Sequence, residues 1–202
     1  MDKLEKFWDK QAESLAKKNH NIQLTENKDF VTTLKYLNID DIVLDYGCGG
    51  GIVSIGIADK VKGIHAIDVS SKIIEIAKAN AAESNIDNIN YAQATIFDEK
   101  FQNESFNVIL AFRILHVLEG VQMVIRRVNE LLKPGGVFVS VTTCAGSQKA
   151  LLGIIAFLAR KLKLLPLQIN MFKLPELQGL LTGEGFEMVE CEKLDDKIPT
   201  YC

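Results

Sequence analysis

The chain has 202 residues, enough for one domain with a core of its own. With 48% hydrophobic and 24% charged residues, 14 Gly and 4 Pro, it falls outside the disordered and low-complexity classes. Its 23 basic and 26 acidic side chains leave a net charge of -3, which argues against a strong non-specific pull toward nucleic acid.

The first ten residues, MDKLEKFWDK, alternate charge with aromatics and lack the apolar stretch of a secretory signal, so export is not expected. Two amphipathic segments follow, 2–18 and 26–37, and predict accessory helices packed across one end of the core, so residues 1–38 are an addition to a single domain. Short β-branched runs then alternate with segments of helical period. Strands are expected at 42–46, 63–68, 89–94, 106–111, 136–142 and 186–192, and helices at 51–59, 71–84, 120–132 and 174–182. That alternation predicts an α/β fold, a doubly wound and mostly parallel sheet with helices on both faces. After the fifth strand, 147–165 reads as a helix apolar around most of its circumference and stopped by Pro166. It belongs to a helical insertion over 144–172. Its apolar run is too short for a bilayer crossing, which needs roughly 20 residues. Cys48, Cys144, Cys191 and Cys202 show no CxxC spacing, so neither a zinc site nor a disulfide framework is expected, and a reducing cytoplasm suits them.

The densest signal is Val43-Leu44-Asp45-Tyr46-Gly47-Cys48-Gly49-Gly50-Gly51, a strand ending in a glycine turn that opens a helix. Glycine there lets the backbone approach a ligand closely. Seventeen residues after Gly51, Asp68 ends the second strand, where a carboxylate can take both hydroxyls of a ribose. Together these predict a nucleoside-containing ligand. An NAD-type dinucleotide is disfavoured, because the third glycine of that fingerprint would fall at position 52, which is Ile52, and because Asp45 would repel a pyrophosphate. Capping of the next helix is the plainer reading of Asp45 and Asp68, and it weighs less because both acids sit at C-terminal strand ends beside one crevice.

Asp45-x-Gly47-x-Gly49-x-Gly51 with Asp68 resembles the Rossmann-like, class I S-adenosylmethionine-dependent methyltransferases. The resemblance extends to FWDKQAE at 7–13, AIDVSSKIIEIAKANA at 66–81, ESFNVILAFRILHVLEG at 104–120, ELLKPGG at 130–136 and LPELQGLLTGEGFEMVE at 174–190. It implies S-adenosylmethionine as cofactor, with Asp45 and the Gly47, Cys48 and Gly49 backbone at the methionine moiety and Asp68 at the ribose. Val69 and Ile73 would line the adenine, and Ile96 and Phe112 would complete the cofactor side. Thr95 stands where the family commonly has an acid for the adenine amino group, and a hydroxyl accepts that bond more weakly. Asn107 stands where the fourth strand usually has Asp, a change read as structural and away from the cofactor.

Methyl transfer from a sulfonium needs alignment in a dry pocket more than a catalytic triad. A base is needed only where the acceptor must lose a proton, and His116, in the turn after the fourth strand, is the candidate. Its other reading is a hydrogen-bonded packing residue among Ile114, Leu115, Val117 and Leu118. Cys144 and Ser147 have no partner spaced to activate them and read as pocket lining. Three functions stay open: a methyltransferase for a small, apolar or amphiphilic acceptor, a cofactor-binding protein without turnover, and a peripheral membrane enzyme touching lipid through 150–165. The last six residues, KIPTYC, look like only the start of a seventh strand, so a poorly covered sheet edge is expected.

Overall fold

Two apolar runs pair in parallel at the centre of the molecule, IVLDY at Ile42–Tyr46 (β1) and FNVILAF at Phe106–Phe112 (β4). Both are apolar on consecutive residues because helices cover both faces of the sheet they belong to. The computed structural model describes residues 2–19, 28–144, 169–195 and 200–201. From β1 the chain moves outward through β2 (Gly63–Asp68) to β3 (Ile89–Gln93), then returns to β4 and continues to β5 (Leu132–Thr143). These five strands are parallel. Beyond β5 lie β7 (Thr200–Tyr201) and then β6 (Lys193–Asp195), in antiparallel pairing. The full order is β3-β2-β1-β4-β5-β7-β6, which puts the reversal of strand order, and hence the crevice for ligands, between β1 and β4.

Alternate residues of the sheet feed two apolar layers. On one face Leu44, Ile67, Ile109 and Ala111 pack under α5 (Val121–Leu131) and α6 (Leu174–Gly183). Helix α5 buries Val121, Val124, Ile125, Val128 and Leu131, a single stripe at helical spacing. Each such side chain is worth about 1.5–3 kcal/mol when fully removed from water. On the other face Val43, Ile64, Ala66, Val108 and Leu110 pack against residues of α3 (Ile52–Ile57) and α4 (Ser71–Glu83). The accessory helices are α1 (Asp2–Asn19) and α2 (Lys28–Leu34). No helix among the described residues is long and apolar enough to cross a membrane.

The expected strands at 42–46 and 63–68 are found at those bounds, and β5 starts earlier than expected because Leu132 already pairs with Phe106. The sixth strand is a correction. Residues 186–192 form no ladder, and β6 is Lys193–Asp195. A strand needs a partner for its N–H and C=O groups. Here β7, set between β5 and β6, reaches only Thr142 and Thr143 of β5. Side chains hold 186–192 instead. Phe186 packs on Phe138, Glu190 accepts from Lys35 and Tyr36, and Glu192 accepts from Thr32. The gap left along β5 is a cavity of about 730 Å³, walled by Gly136 to Ser140 on one side and Phe186 to Cys191 on the other. The helix expected at 147–165, and with it the membrane contact through 150–165, lies outside the described residues.

Candidate active site

Asp45 occupies the C-terminal end of β1, opposite Ala66 of β2 and Leu110 of β4. It is 2% exposed, and its carboxylate accepts a 2.6 Å hydrogen bond from the Ser54 hydroxyl of α3. Burial pushes its pKa up to about 6, the Ser54 bond opposes that rise, and the nearby Asp68 adds to it. After Tyr46 the chain turns sharply. The N–H groups of Gly47 and Cys48 both donate to Ile67 O, at 2.8 and 3.0 Å, which ties the loop to β2. Gly47 has φ 76°, and a Cβ there would lie 2.4 Å from Ile114 Cδ1. Only glycine fits both conditions. At Gly49, φ 52°, an added Cβ would meet nothing within 4 Å, so the loop surface is open at that point.

Asp68 ends β2 beside this opening. Its Oδ2 accepts from Gly49 N at 3.3 Å and its Oδ1 from Ser70 N at 3.0 Å. Burial raises its pKa, and these backbone bonds work in the opposite direction. Ser70 caps α4 by accepting from Ile73 N, and it donates to Asp9 of α1. Gln93, at the end of β3, donates to Glu5 of α1 and to Val69 O. Helix α1 therefore lies across the C-terminal ends of β2 and β3. Val69 is half-buried next to Asp68, and Ile73 is buried. Thr95 Oγ1 accepts from Phe97 N in a tight local turn. Asp98 is occupied with Lys100, through its backbone N–H and an ion pair. The Ile96 side chain is fully buried in the layer under α5. Asn107 sits at the opposite end of the strands, where its Oδ1 accepts from Ile42 N and Lys133.

On the other side of the switch point, half-buried Phe112 closes β4 and Arg113 follows with φ 56°. A non-glycine residue in the left-handed region stores roughly 1–2 kcal/mol, and here a 2.7 Å bond from Arg113 N to Val141 O holds it. A short 3-10 turn, Leu115–Val117, carries His116. Its Nδ1 is buried and makes no hydrogen bond. Burial, and then the Arg113 charge, lower the His116 pKa, so the ring is neutral at neutral pH. Nearby on β5, Thr142 is fully buried and its hydroxyl also lacks a partner. Cys144 is buried with its thiol pKa pushed up to about 11, chiefly by burial, which leaves it a poor nucleophile. Ser147 lies outside the described residues.

The structure thus brings Asp45, Gly47, Cys48, Gly49, Asp68 and Val69 to one crevice, with His116 on a turn beside it. It places the side chains of Ile73 and Ile96 in the interior instead. Sequence reading missed Ser54, whose only signal is a hydroxyl inside the apolar run IVSIGI. It missed Ile114, which roofs Gly47, and Asn170, which binds the His116 turn. The 730 Å³ cavity touches none of the glycine loop, Asp68 or His116.

A doubly wound sheet with two acids flanking a glycine turn at the switch point defines an α/β protein of the class that binds ligands at that crevice. A methyltransferase domain model matches residues 37–181. The chain belongs to that methyltransferase family. Among curated relatives, it is 31% identical over 155 residues to a ubiquinone biosynthesis O-methyltransferase of Rickettsia canadensis, covering 75% of this chain and 65% of that one. A second such enzyme, from Rickettsia bellii, is 32% identical over 60% of this chain and 50% of its own. The chain spans between half and two thirds of these relatives' length. Among solved structures, a putative methyltransferase of Bacillus halodurans superposes with a TM-score of 0.72 at 21% identity, covering 83% of this chain and 71% of that one.

Proposed function

We propose that the chain is an S-adenosylmethionine-dependent methyltransferase of the cytoplasm that acts on a hydroxyl oxygen of a small, apolar or amphiphilic acceptor. The observation that carries this reading is the pairing of two carboxylates, the buried Asp45 and the half-buried Asp68, around a glycine loop that is open at Gly49. The residues fit the cofactor's groups. Asp45 would hold its cationic amino group, the Gly47, Cys48 and Gly49 backbone would pass the methionine moiety, and Asp68 would take the ribose hydroxyls. Val69 and Ile73 would serve the adenine side. Thr95 and Ile96 would serve the adenine edge, and Phe112 the methionine side. When bound, the cofactor supplies a methyl group activated on a sulfonium.

The chain's own contribution is to bind, to orient and to hold a proton. Asp45 must be ionised to attract the amino group, and the incoming cation favours that form against the burial that opposes it. His116, neutral and unpartnered at Nδ1, takes the proton of the acceptor hydroxyl. An oxygen acceptor is supported by the names of the relatives, and an apolar one by the same names. A cytoplasmic setting is supported by the free thiols of Cys48, Cys144 and Cys191.

Calorimetry against S-adenosylmethionine, its demethylated product and NAD tests the cofactor. Binding of the first two and not the third is expected, and binding of NAD alone would overturn the reading. Turnover of an alkylcatechol in preference to highly polar acceptors tests the acceptor class. Tight cofactor binding with no transfer to any acceptor would mark a binding protein instead.

A further inference from the structure

The turn carrying His116 is short and holds itself weakly. Its own backbone supplies a 2.9 Å bond from Val117 N to Ile114 O and a long 3.5 Å bond from Leu118 N to Leu115 O. A single 3-10 turn with such bonds does not fix a side chain on its own. Further bonds come from one residue between β5 and α6. Asn170 N donates to His116 O at 2.7 Å, and the Asn170 amide donates to Leu118 O at 2.7 Å and to Leu115 O at 3.3 Å. Three carbonyls of one turn thus accept from a residue more than fifty positions away. A histidine that only packs normally has its buried ring nitrogen satisfied. Here three carbonyls of the turn are engaged by Asn170 while the buried His116 Nδ1 has no partner.

We propose that Asn170 is a positioning residue, whose bonds to Leu115, His116 and Leu118 fix the turn and with it the orientation of the His116 ring. The proposal rests on the reading of His116 as the base. It also ties the base to Asn170, a few residues before α6.

Ring carbon and nitrogen NMR of the full chain tests it without an acceptor. The chain has three histidines, and His116→Gln identifies the signals of His116. In Asn170→Ala the His116 signals are expected to broaden or split while those of His65 stay in place. Asn170→Ser, which keeps one donor, gives an intermediate spectrum if the alanine variant folds poorly. With alkylcatechol as acceptor, Asn170→Ala is expected to lower kcat roughly ten- to hundredfold, the scale of a small misplacement, with unchanged S-adenosylmethionine affinity. In the His116→Gln background the same change lowers it no further. Unchanged His116 signals in a folded Asn170→Ala protein overturn the proposal, as does an equal kcat loss in both backgrounds. If His116→Gln leaves kcat intact, the base assignment fails. If the unmodified chain does not turn over alkylcatechol, the acceptor reading fails. In either case the NMR comparison still decides what Asn170 holds.

Discussion

Replacing Asp45 by Asn separates what this carboxylate does for binding from what it does to the fold. In the free protein its pKa rises from 3.8 to about 6, chiefly through burial. The folded state therefore holds the proton more tightly than the unfolded chain does. As pH rises from 3.8 through 6, the unfolded chain loses its proton first and stability falls, and above pH 6 the loss is complete. The difference corresponds to about 3 kcal/mol against folding at pH 8 and about half of that at pH 5. Asparagine is neutral and keeps an oxygen for the Ser54 hydroxyl. The variant should therefore be more stable than the unmodified protein at pH 8, by up to about 3 kcal/mol, or roughly 6–12 °C in Tm for a domain of this size. Urea unfolding at pH 8 and pH 5 measures both values. Cofactor affinity, followed by calorimetry on the same samples, should move the opposite way, because the charge facing the amino group is gone. A variant less stable than the parent at pH 8, or a gain that does not shrink at pH 5, refutes a charged and buried Asp45.

Thr142→Val removes a buried hydroxyl that has no partner, so thermal unfolding should show a gain of about 1 kcal/mol. A loss would mean that the hydroxyl is satisfied in solution. Gly51 has φ 79°, and a Cβ there would lie 2.5 Å from the Tyr91 hydroxyl oxygen. Gly51→Ala should destabilise by about 1–2 kcal/mol from backbone strain alone, and adding Tyr91→Phe should recover only the part due to the clash. Full recovery in the double variant would remove the backbone from the account. Asp68→Ala should weaken S-adenosylmethionine binding by about 1.5–3 kcal/mol in calorimetry, and unchanged affinity in a folded variant would end the ribose assignment.

The positions of β1 and β2 could be read at their bounds because each is a short apolar run closed by a charged or turn residue, a purely local signal. Asp45, Gly47 and Asp68 were legible for the same reason, since a strand end followed by a glycine turn fixes where a side chain emerges. Residues 186–192 read as a strand from their β-forming composition, but pairing depends on whether a neighbouring edge is free. That is a property of β5 and β7, invisible within the segment itself. Ser54 and Asn170 were missed for a related reason. Their roles depend on contacts 9 and 52–55 positions away, which arise only once α3 packs on β1 and Asn170 packs on the turn after β4. Ile96 looked like a ligand contact because it follows β3, whereas the layer under α5 claims its side chain.

The glycine loop has already spent several of its amide hydrogens. Gly47 and Cys48 give theirs to Ile67, Gly49 gives its own to Asp68, and Gly51 gives its own to Cys48 O. A loop that grips phosphate does so with outward-pointing amides, and these four point into the protein's own acceptors. What remains beside the crevice is the half-buried Asp68, the buried Asp45 and the open surface at Gly49. Under the proposed function, the same chain geometry that elsewhere welcomes a diphosphate would act here as a filter on the sign of charge. It would favour a nucleoside that carries a positive group over one that carries negative groups, before any base or sugar is read.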